Sequence, residues 1–158
     1  RPPIGPAGRA VRGGPAGVSG GLILHATTVA LGADRGLLIL GPSGSGKSGL
    51  ALQLMALGAQ LVADDRTQVR EEGGALVATC PAALRGRIEA RGIGILNAPA
   101  LPQARLILAI DLGQTETERL PPRRSVTITT TPLDLVHGSA SSHLPSALLC
   151  YLLHGRGA

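Results

Sequence analysis

The sequence contains no Phe and no Trp, and Tyr151 is its only aromatic residue. Proteins that bind single-stranded nucleic acid usually stack the bases on aromatic side chains, so this composition argues against that class of function. The core has to be built from Leu, Ile, Val and Ala instead. We therefore predict no nucleic-acid partner.

An excess of positive over negative charge is found mainly at the start of the chain. The formal net charge is +5, and residues 1–20 contribute Arg1, Arg9 and Arg12 without any acidic residue. The rest of the chain is close to balanced, so its arginines are best interpreted as scattered surface charges rather than a nucleic-acid patch.

Cysteines and long apolar runs are few. Cys80 and Cys150 lie far apart and have no partner at metal-ligand spacing, which predicts reduced, buried or half-buried thiols rather than a disulfide framework. No apolar run reaches the roughly 18 residues that a membrane-spanning helix needs. Together these features indicate a cytoplasmic protein without a membrane segment.

Lysine occurs once, at Lys47, and this lysine lies in the motif Gly41-Pro42-Ser43-Gly44-Ser45-Gly46-Lys47-Ser48. The motif matches G-x-x-x-x-G-K-[ST], in which backbone N–H groups and a helix N-terminus bind phosphate. An apolar run at residues 37–40 predicts the strand before it, and residues 49–57 predict the helix after it. We expect Lys47 to contact the β- and γ-phosphates of a nucleotide and Ser48 to coordinate Mg²⁺.

The length predicts one domain, and the phosphate-binding motif predicts an α/β fold with a central β-sheet and flanking helices. Residues 1–20 are rich in Gly, Pro and Arg and are predicted to be a disordered leader, with residues 21–158 forming the domain. Residues 60–63 predict a strand parallel to the one before the motif, joined to it by a right-handed crossover. Asp64 and Asp65 should therefore lie beside the phosphate-binding residues.

Further elements are less distinct. Residues 67–78 predict a hairpin, residues 106–111 a buried strand, residues 126–130 a short strand and residues 144–153 a closing helix. Residues 87–96 mix charge, glycine and apolar residues in a pattern typical of neither a strand nor a helix.

The first candidates for chemistry are Asp64 and Asp65. One could accept a proton from an attacking hydroxyl while the other holds a metal or a cation, and the alternative is a pair of solvated turn residues. Asp111, at the end of a predicted apolar strand, competes with them for the metal-holding role that an aspartate has in many phosphate-binding loops.

Glu89 and Arg91 share one face of an extended segment. Glu89 could ligate Mg²⁺ while Arg91 meets a phosphoryl oxygen, and a surface ion pair is the alternative. His25 lies in an apolar stretch, where a histidine is either a satisfied core residue or a catalytic group.

Four segments together resemble the C-terminal catalytic domain of HPr kinase/phosphorylase: His25, the motif at 41–48, LVADD at 61–65 and IEARGIGI at 88–95. The resemblance implies a protein serine kinase that uses ATP and Mg²⁺ to phosphorylate a serine of the phosphocarrier HPr and so regulates the phosphotransferase system. Many members also run phosphorolysis of that phosphoserine to give pyrophosphate. The resemblance does not decide whether the chain forms a homo-oligomer.

The same resemblance implies roles for individual residues. Asp65, with Asp64 beside it, is the acid/base at the serine hydroxyl, and His25 works beside them. Lys47 is the phosphate clamp, and Arg91 belongs to a segment used in both reaction directions. Ser48 and Glu89 are implied as the Mg²⁺ ligands.

Some features depart from the family pattern. Ala26 and Ala90 replace a usual glycine and isoleucine, and no V-P-V-x-x-G-R-N segment follows, so only Arg123 or Arg124 could supply its arginine by rough position. The sequence also lacks the family's N-terminal domain and C-terminal helical tail, which resembles the short form of some Proteobacteria. A small-molecule kinase and a non-catalytic nucleotide-binding regulatory module are the alternative functions.

Overall fold

The computed structural model describes residues 9–11, 14–15 and 21–158. The strands are β1 (Arg9–Val11), β2 (Gly14–Pro15), β3 (Leu22–Leu24), β4 (Thr27–Ala30), β5 (Gly36–Leu40), β6 (Gln60–Ala63), β7 (Thr67–Glu72), β8 (Ala75–Thr79), β9 (Arg87–Ala90), β10 (Gly94–Asn97), β11 (Gln103–Thr115), β12 (Arg124–Ile128) and β13 (Thr131–Gly138). The helices are α1 (Lys47–Ala56) and α2 (Leu144–His154), and Ala82–Leu84 forms a turn of 3-10 helix.

Seven of these strands form the main sheet, in the order β6-β4-β5-β11-β13-β12-β1. β5, β11 and β13 are parallel neighbours, and β4 is antiparallel to both β5 and β6. β6, β5, β11 and β13 therefore all run in the same direction. Because they end at one edge of the sheet, the segments that follow them lie together there.

The sheet curls over itself at β11, which is 13 residues long. Residues 103–105 of β11 pair with β8, whereas residues 106–111 pair with β5. From β8 the antiparallel order continues through β7 and β3 to β2. The last strand pair, β9 and β10, is a separate antiparallel hairpin.

The core has two layers that meet at β5, which is buried along its whole length. Leu37 and Ile39 pack in the cluster that contains α1 and α2, while Leu38 and Leu40 pack in the cluster under β7 and β8. Successive residues of a strand point to opposite faces, so a strand covered on both faces has to be apolar throughout. This explains the continuous apolar run before the phosphate-binding motif.

The mixed α/β architecture is confirmed, with two differences from the sequence-based prediction. Both helices pack on the same face of the main sheet, and the other face is covered by the curled part of the sheet rather than by a helix. β4 also lies between β5 and β6, so the two parallel strands of the predicted crossover are not adjacent. β4 lies beside β5 because the two form an antiparallel hairpin. The β7–β8 hairpin covers the face without helices with the apolar side chains of Val69, Leu76 and Ala78.

Two local predictions need correction. The buried strand predicted at 106–111 extends over Gln103–Thr115, and the strand Thr131–Gly138 was not predicted. In Thr131–Gly138 the buried Leu133 and Leu135 are flanked by the exposed Pro132 and Asp134, so the apolar signal is short. Residues 87–96, which matched no regular pattern, form most of the β9–β10 hairpin.

Part of the predicted disordered leader is paired. Arg9–Val11 lies parallel to β12, and Gly14–Pro15 is antiparallel to β3, because backbone hydrogen bonds to an edge strand require no apolar pattern. The other residues of 1–20 lie outside the described residues. The division into a leader and one domain at 21–158 stays a prediction.

Both cysteines are free. Cys80 is buried, and burial raises the pKa of its thiol. Cys150 is exposed on α2, which differs from the expectation that both thiols are at least half-buried. Within the described part of the chain, neither helix is long and apolar enough to cross a membrane.

Candidate active site

The phosphate-binding motif forms the connection between β5 and α1, as the sequence predicts. Its first residue, Gly41, has a φ of 149°, and a Cβ atom there would lie 2.5 Å from the Ser45 hydroxyl oxygen. Only glycine fits this position without displacing Ser45. The backbone can therefore turn tightly enough to place successive N–H groups at the start of α1.

Lys47 lies inside this turn and is only 6% exposed. Its Nζ donates hydrogen bonds to the carbonyl oxygens of Gly41 at 2.8 Å and Pro42 at 3.1 Å. Burial lowers the pKa of Lys47, and the nearby carboxylates of Asp65 and Asp64 oppose this shift. The ammonium group is thus held against the backbone that would surround a phosphate.

Asp64 lies at the end of β6 and connects three parts of the chain. Its Oδ1 accepts hydrogen bonds from Ser48 Oγ at 2.6 Å and from Thr27 Oγ1 at 2.9 Å. Its Oδ2 accepts a hydrogen bond from the backbone N–H of Glu89 at 2.9 Å. The prediction that the aspartate pair lies beside the phosphate-binding residues is confirmed by these contacts.

The Asp65 side chain contacts His25 rather than Ser48. It has a φ of 65°, a left-handed conformation that is uncommon for residues other than glycine and costs free energy. Its Oδ1 lies 3.2 Å from His25 Nδ1, and His25 Nε2 lies 3.3 Å from Ser43 Oγ. Both the Asp65 and His25 side chains are about half exposed, at 58% and 50%. His25 is therefore part of this cluster and not a core residue.

Thr27 is a site residue that sequence analysis missed. It is fully buried, and its hydroxyl donates to Asp64 Oδ1 while accepting the backbone N–H of Asp65 at 3.1 Å. One side chain thus holds the Asp64 carboxylate and the Asp65 backbone. A threonine in an apolar strand looks like an ordinary β-former, so its only sequence signal is its position two residues after His25.

A cavity of about 860 Å³ opens beside these groups. It is lined by Ser43, Lys47, Ser48, Asp64, Asp65, Glu89 and Arg91, and by residues outside the predicted set that include Arg87 and Ile95. Glu89 lies on β9, and Arg91 follows in the turn to β10. Most of the predicted site residues thus face a single cavity. The predicted residues outside its lining are His25, Gly41, Pro42 and Ser45.

The donor atoms at this cavity suit Mg²⁺. Ser48 and Asp64 present a hydroxyl and a carboxylate within 2.6 Å of one another, and Mg²⁺ prefers such oxygen ligands together with substrate phosphates. Glu89 lines the same cavity. Among the described residues, no group of three or more His, Cys, Asp or Glu side chains could hold a metal by protein ligands alone. The geometry therefore fits a cation that arrives with phosphate.

Asp111 is not a candidate metal ligand in this structure. It lies within β11 opposite Leu40, is 3% exposed, and does not line the cavity. Its Oδ1 accepts the backbone N–H of Gly113 at 2.8 Å. Asp111 thus supports the chain next to the turn at residues 41–48, and Asp64 and Asp65 remain the candidates for the metal-holding role.

Arg123 and Arg124, which were considered as replacements for a missing arginine, also lie away from the cavity. Arg124 forms an ion pair with Glu116, in which Arg124 Nη2 lies 3.0 Å from Glu116 Oε2. Arg123 Nη2 donates to the backbone carbonyl of Arg156. Position along the chain alone was a poor guide because β12 runs at the far side of the main sheet.

Comparison with known proteins identifies a family for more than half of the chain. Residues 20–112 match the family model described as the HPr Serine kinase C-terminal domain. The chain belongs to this family. The match spans more than half of the chain and contains every residue that lines the cavity. It ends before β12, β13 and α2.

Individual relatives carry consistent names. A protein of Clostridium tetani named HPr kinase/phosphorylase is 46% identical over 66 residues, which are 42% of this chain and 22% of that protein. One of Geobacillus thermodenitrificans with the same name is 39% identical over 92 residues, 53% of this chain and 30% of that protein. The chain thus spans less than a third of the length of these relatives.

A solved structure extends the similarity over most of the fold. The Hpr(Ser) kinase/phosphatase from Coxiella burnetii matches with a TM-score of 0.67 and 28% sequence identity. The alignment covers 83% of this chain and 93% of that one. The structural similarity therefore extends beyond the segment that the family model matches.

Proposed function

We propose that this chain transfers the γ-phosphate of Mg-ATP to a serine hydroxyl of the phosphocarrier HPr. The observation that carries the proposal is the contact between two sets of residues. Ser48 of the phosphate-binding motif touches Asp64, and Asp65 next to it carries a carboxylate that pairs with His25 and is more than half exposed. Family membership and the names of the relatives point to the same reaction.

The phosphate end of the reaction is served by the turn after β5. Lys47 and the N–H groups at the start of α1 bind the β- and γ-phosphates. Ser48 and Asp64 would hold the Mg²⁺, with Glu89 within reach of the same cavity. The cation neutralises charge on the phosphate oxygens when it is bound. Arg91 lines the same cavity and would meet the transferred phosphoryl group.

The acceptor end is served by Asp65 and His25. In an in-line displacement the serine oxygen forms a bond to the γ-phosphorus while the bond from phosphorus to the β–γ bridging oxygen breaks, and ADP leaves. Asp65 takes the proton of the serine hydroxyl. His25, 3.2 Å from Asp65 Oδ1, orients that carboxylate. The same groups suit phosphorolysis, in which an oxygen of inorganic phosphate forms a bond to the phosphorus of phosphoserine while the bond from phosphorus to the serine oxygen breaks. Pyrophosphate leaves, and protonated Asp65 gives its proton to the serine oxygen.

The test is transfer of labelled γ-phosphate from Mg-ATP to purified HPr. We expect Asp65→Asn to lower kcat by about 10²- to 10⁴-fold, because general-base catalysis contributes a factor of that size. Asp34→Asn is the matched control, since Asp34 is exposed in the turn before β5, at the opposite edge of the sheet.

Three outcomes distinguish an HPr kinase from the alternative functions. Label on wild-type HPr but not on HPr with its regulatory serine changed to Ala establishes the substrate. Loss of label in Asp65→Asn with unchanged nucleotide binding establishes the role of the carboxylate. Nucleotide binding without any label on HPr would sink the assignment and favour a nucleotide-binding regulatory module or another acceptor.

A further inference from the structure

Three side chains form a row of polar contacts beside the phosphate-binding turn. Asp65 Oδ1 lies 3.2 Å from His25 Nδ1, and His25 Nε2 lies 3.3 Å from Ser43 Oγ. The order of the groups is carboxylate, imidazole and hydroxyl, and each ring nitrogen faces one partner. In this arrangement a histidine can activate a serine hydroxyl as a nucleophile.

The Asp65 carboxylate determines which nitrogen of His25 carries hydrogen. A carboxylate accepts hydrogen bonds, so its contact with Nδ1 favours the neutral imidazole with hydrogen on that atom. Nε2 is then an acceptor, and the Ser43 hydroxyl donates to it. His25 is therefore oriented to take a proton from Ser43.

The three serines of the motif at residues 41–48 differ in the partners of their hydroxyl groups. Ser48 Oγ donates to Asp64 Oδ1 at 2.6 Å. Ser45 Oγ is buried and has no hydrogen-bond partner among the described residues. Of the three, Ser43 is the one whose hydroxyl contacts an imidazole. Its proton therefore has an acceptor, as nucleophilic attack by a serine requires.

Ser43 also lies close to the expected position of a γ-phosphate. It is exposed and lines the cavity of about 860 Å³ together with Lys47. Lys47 Nζ donates to the carbonyl oxygen of Pro42 at 3.1 Å, and the peptide bond from this carbonyl leads to Ser43. The ammonium group that is expected to hold the γ-phosphate is thus next to the peptide unit that carries Ser43.

The backbone after Ser43 leaves room for movement of its side chain. Gly44 has a φ of 80°, and a Cβ atom there would meet no atom within 4 Å. Because glycine is conformationally permissive, small backbone rotations at this position can bring the Ser43 hydroxyl toward a bound phosphorus atom.

We propose that Ser43 is a phosphorylation site of the chain itself, which accepts the γ-phosphate of Mg-ATP when no carrier protein occupies the cavity. Ser43 Oγ forms a bond to the γ-phosphorus while the bond from phosphorus to the β–γ bridging oxygen breaks, and ADP leaves. The Ser43 proton passes to His25 Nε2, and the Asp65 carboxylate stabilises the imidazolium that forms. The proposal rests on the proposed kinase function, because it uses the same phosphate donor.

The product limits its own formation. A phosphoserine carries a charge of about −1.5 to −2 at pH 7. At Ser43 this charge lies beside Lys47, where the γ-phosphate of another ATP has to bind. We therefore expect each chain to accept no more than one phosphate.

The test incubates the full chain with labelled Mg-ATP in the absence of HPr and locates the label by mass spectrometry of peptides. We expect the label on Ser43. The first-order rate constant of labelling should be independent of chain concentration, because the transfer takes place within one molecule. Transfer to purified HPr is measured in parallel.

Variants identify the groups that carry out the transfer. His25→Gln and Asp65→Asn should each lower the rate of labelling about 10²-fold or more, because general-base catalysis contributes a factor of at least that size. Ser43→Ala should remove the label. Ser146→Ala is the matched control and should be labelled like wild type, since Ser146 is exposed on α2 and does not line the cavity. Thermal denaturation verifies that each variant is folded.

The proposal is overturned by label on another residue, by a rate constant that rises with chain concentration, or by unchanged labelling in His25→Gln. Transfer to HPr without any label on the chain also overturns it, and the kinase function then stands. If neither HPr nor the chain is labelled, the two fail together. Label on Ser43 without transfer to HPr supports the proposal and contradicts HPr as the acceptor.

Discussion

At the scale of single residues, the site depends on one buried hydroxyl group. Thr27 Oγ1 donates to the side chain of Asp64 and accepts the backbone N–H of Asp65, so it holds one carboxylate and the backbone that carries the next. Asp65 is held with a positive φ, which the surrounding contacts have to maintain. We therefore expect Thr27 to act as a positioning residue for Asp64 and Asp65 in phosphate transfer.

Replacing Thr27 tests this role. Thr27→Val keeps the shape but removes both hydrogen bonds, and we expect kcat for HPr phosphorylation to fall about 10- to 100-fold, as is typical when a partner of a site ligand is lost. Thr27→Ser should restore most of the activity, with KM for ATP nearly constant. An equal loss of activity in both variants, in step with lost thermal stability, would show a purely structural role.

The two carboxylates that are candidate Mg²⁺ ligands, Asp64 and Glu89, differ in their contacts. Asp64 is in direct contact with Ser48, whereas Glu89 touches Asp64 only through its backbone N–H and directs its side chain to solvent at the cavity. We therefore expect Asp64 to contribute more to Mg²⁺ binding than Glu89.

The prediction is measured as the Mg²⁺ concentration that gives half-maximal kinase activity. Asp64→Asn should raise it by about tenfold or more, because loss of one carboxylate ligand or its partner typically costs that much metal affinity. Glu89→Gln should raise it by a smaller factor. Mn²⁺ binding in the presence of ADP gives a second readout without turnover. The reverse order of the two variants would assign the main ligand to Glu89.

At the scale of elements, the β7–β8 hairpin is fastened to the β12–β13 turn by one carboxylate. Glu71 Oε1 accepts hydrogen bonds from Thr130 N, Thr130 Oγ1 and Thr131 Oγ1, each at 2.8 Å, and from Thr129 Oγ1. These bonds lower the pKa of Glu71 from its ordinary value of 4.5 to about 2. The ionised form is thus favoured in the folded state.

This lowered pKa predicts how stability depends on pH. The contribution of Glu71 is complete above its ordinary pKa of 4.5 and is lost as the pH falls toward the folded-state value of about 2. The thermal midpoint of wild type should exceed that of Glu71→Gln at pH 7, and the difference should shrink between pH 4.5 and pH 2. Glu72→Gln is the matched control. A difference that is constant with pH would contradict the assignment.

At the scale of the whole molecule, the two core layers share β5 and β11. Leu54 of α1 belongs to the layer under the helices, and Leu76 of β8 belongs to the layer under the curled sheet. The same central strands are buried by both layers, so neither layer can open without exposing the other face of β5. We therefore expect one cooperative unfolding transition.

Truncation in either layer tests the coupling. Leu54→Ala and Leu76→Ala should each lower the free energy of unfolding by about 2–5 kcal/mol, as buried Leu→Ala changes do. Circular dichroism and hydrogen exchange of both layers should report the same lowered midpoint. Two separate transitions in either variant would show that the layers unfold independently.

Much of the phosphate-binding half of the site could be predicted from the sequence. The motif at residues 41–48 is contiguous, and the strand before it and the helix after it are encoded by adjacent residues, so its geometry follows from local chain properties. The parallel direction of β5 and β6 and the place of Asp64 and Asp65 also followed from chain order. Fold class was predictable for the same reason.

Only the tertiary structure decided the rest. Thr27 and Asp64 are separated by 37 positions, and Glu89 and Asp64 by 25, and no local pattern reports contacts across such distances. The positions of Asp111, Arg123 and Arg124 outside the lining of the cavity also depend on how the strands are ordered. Local physics determined the phosphate-binding turn, whereas the packing of distant strands determined which side chains surround it.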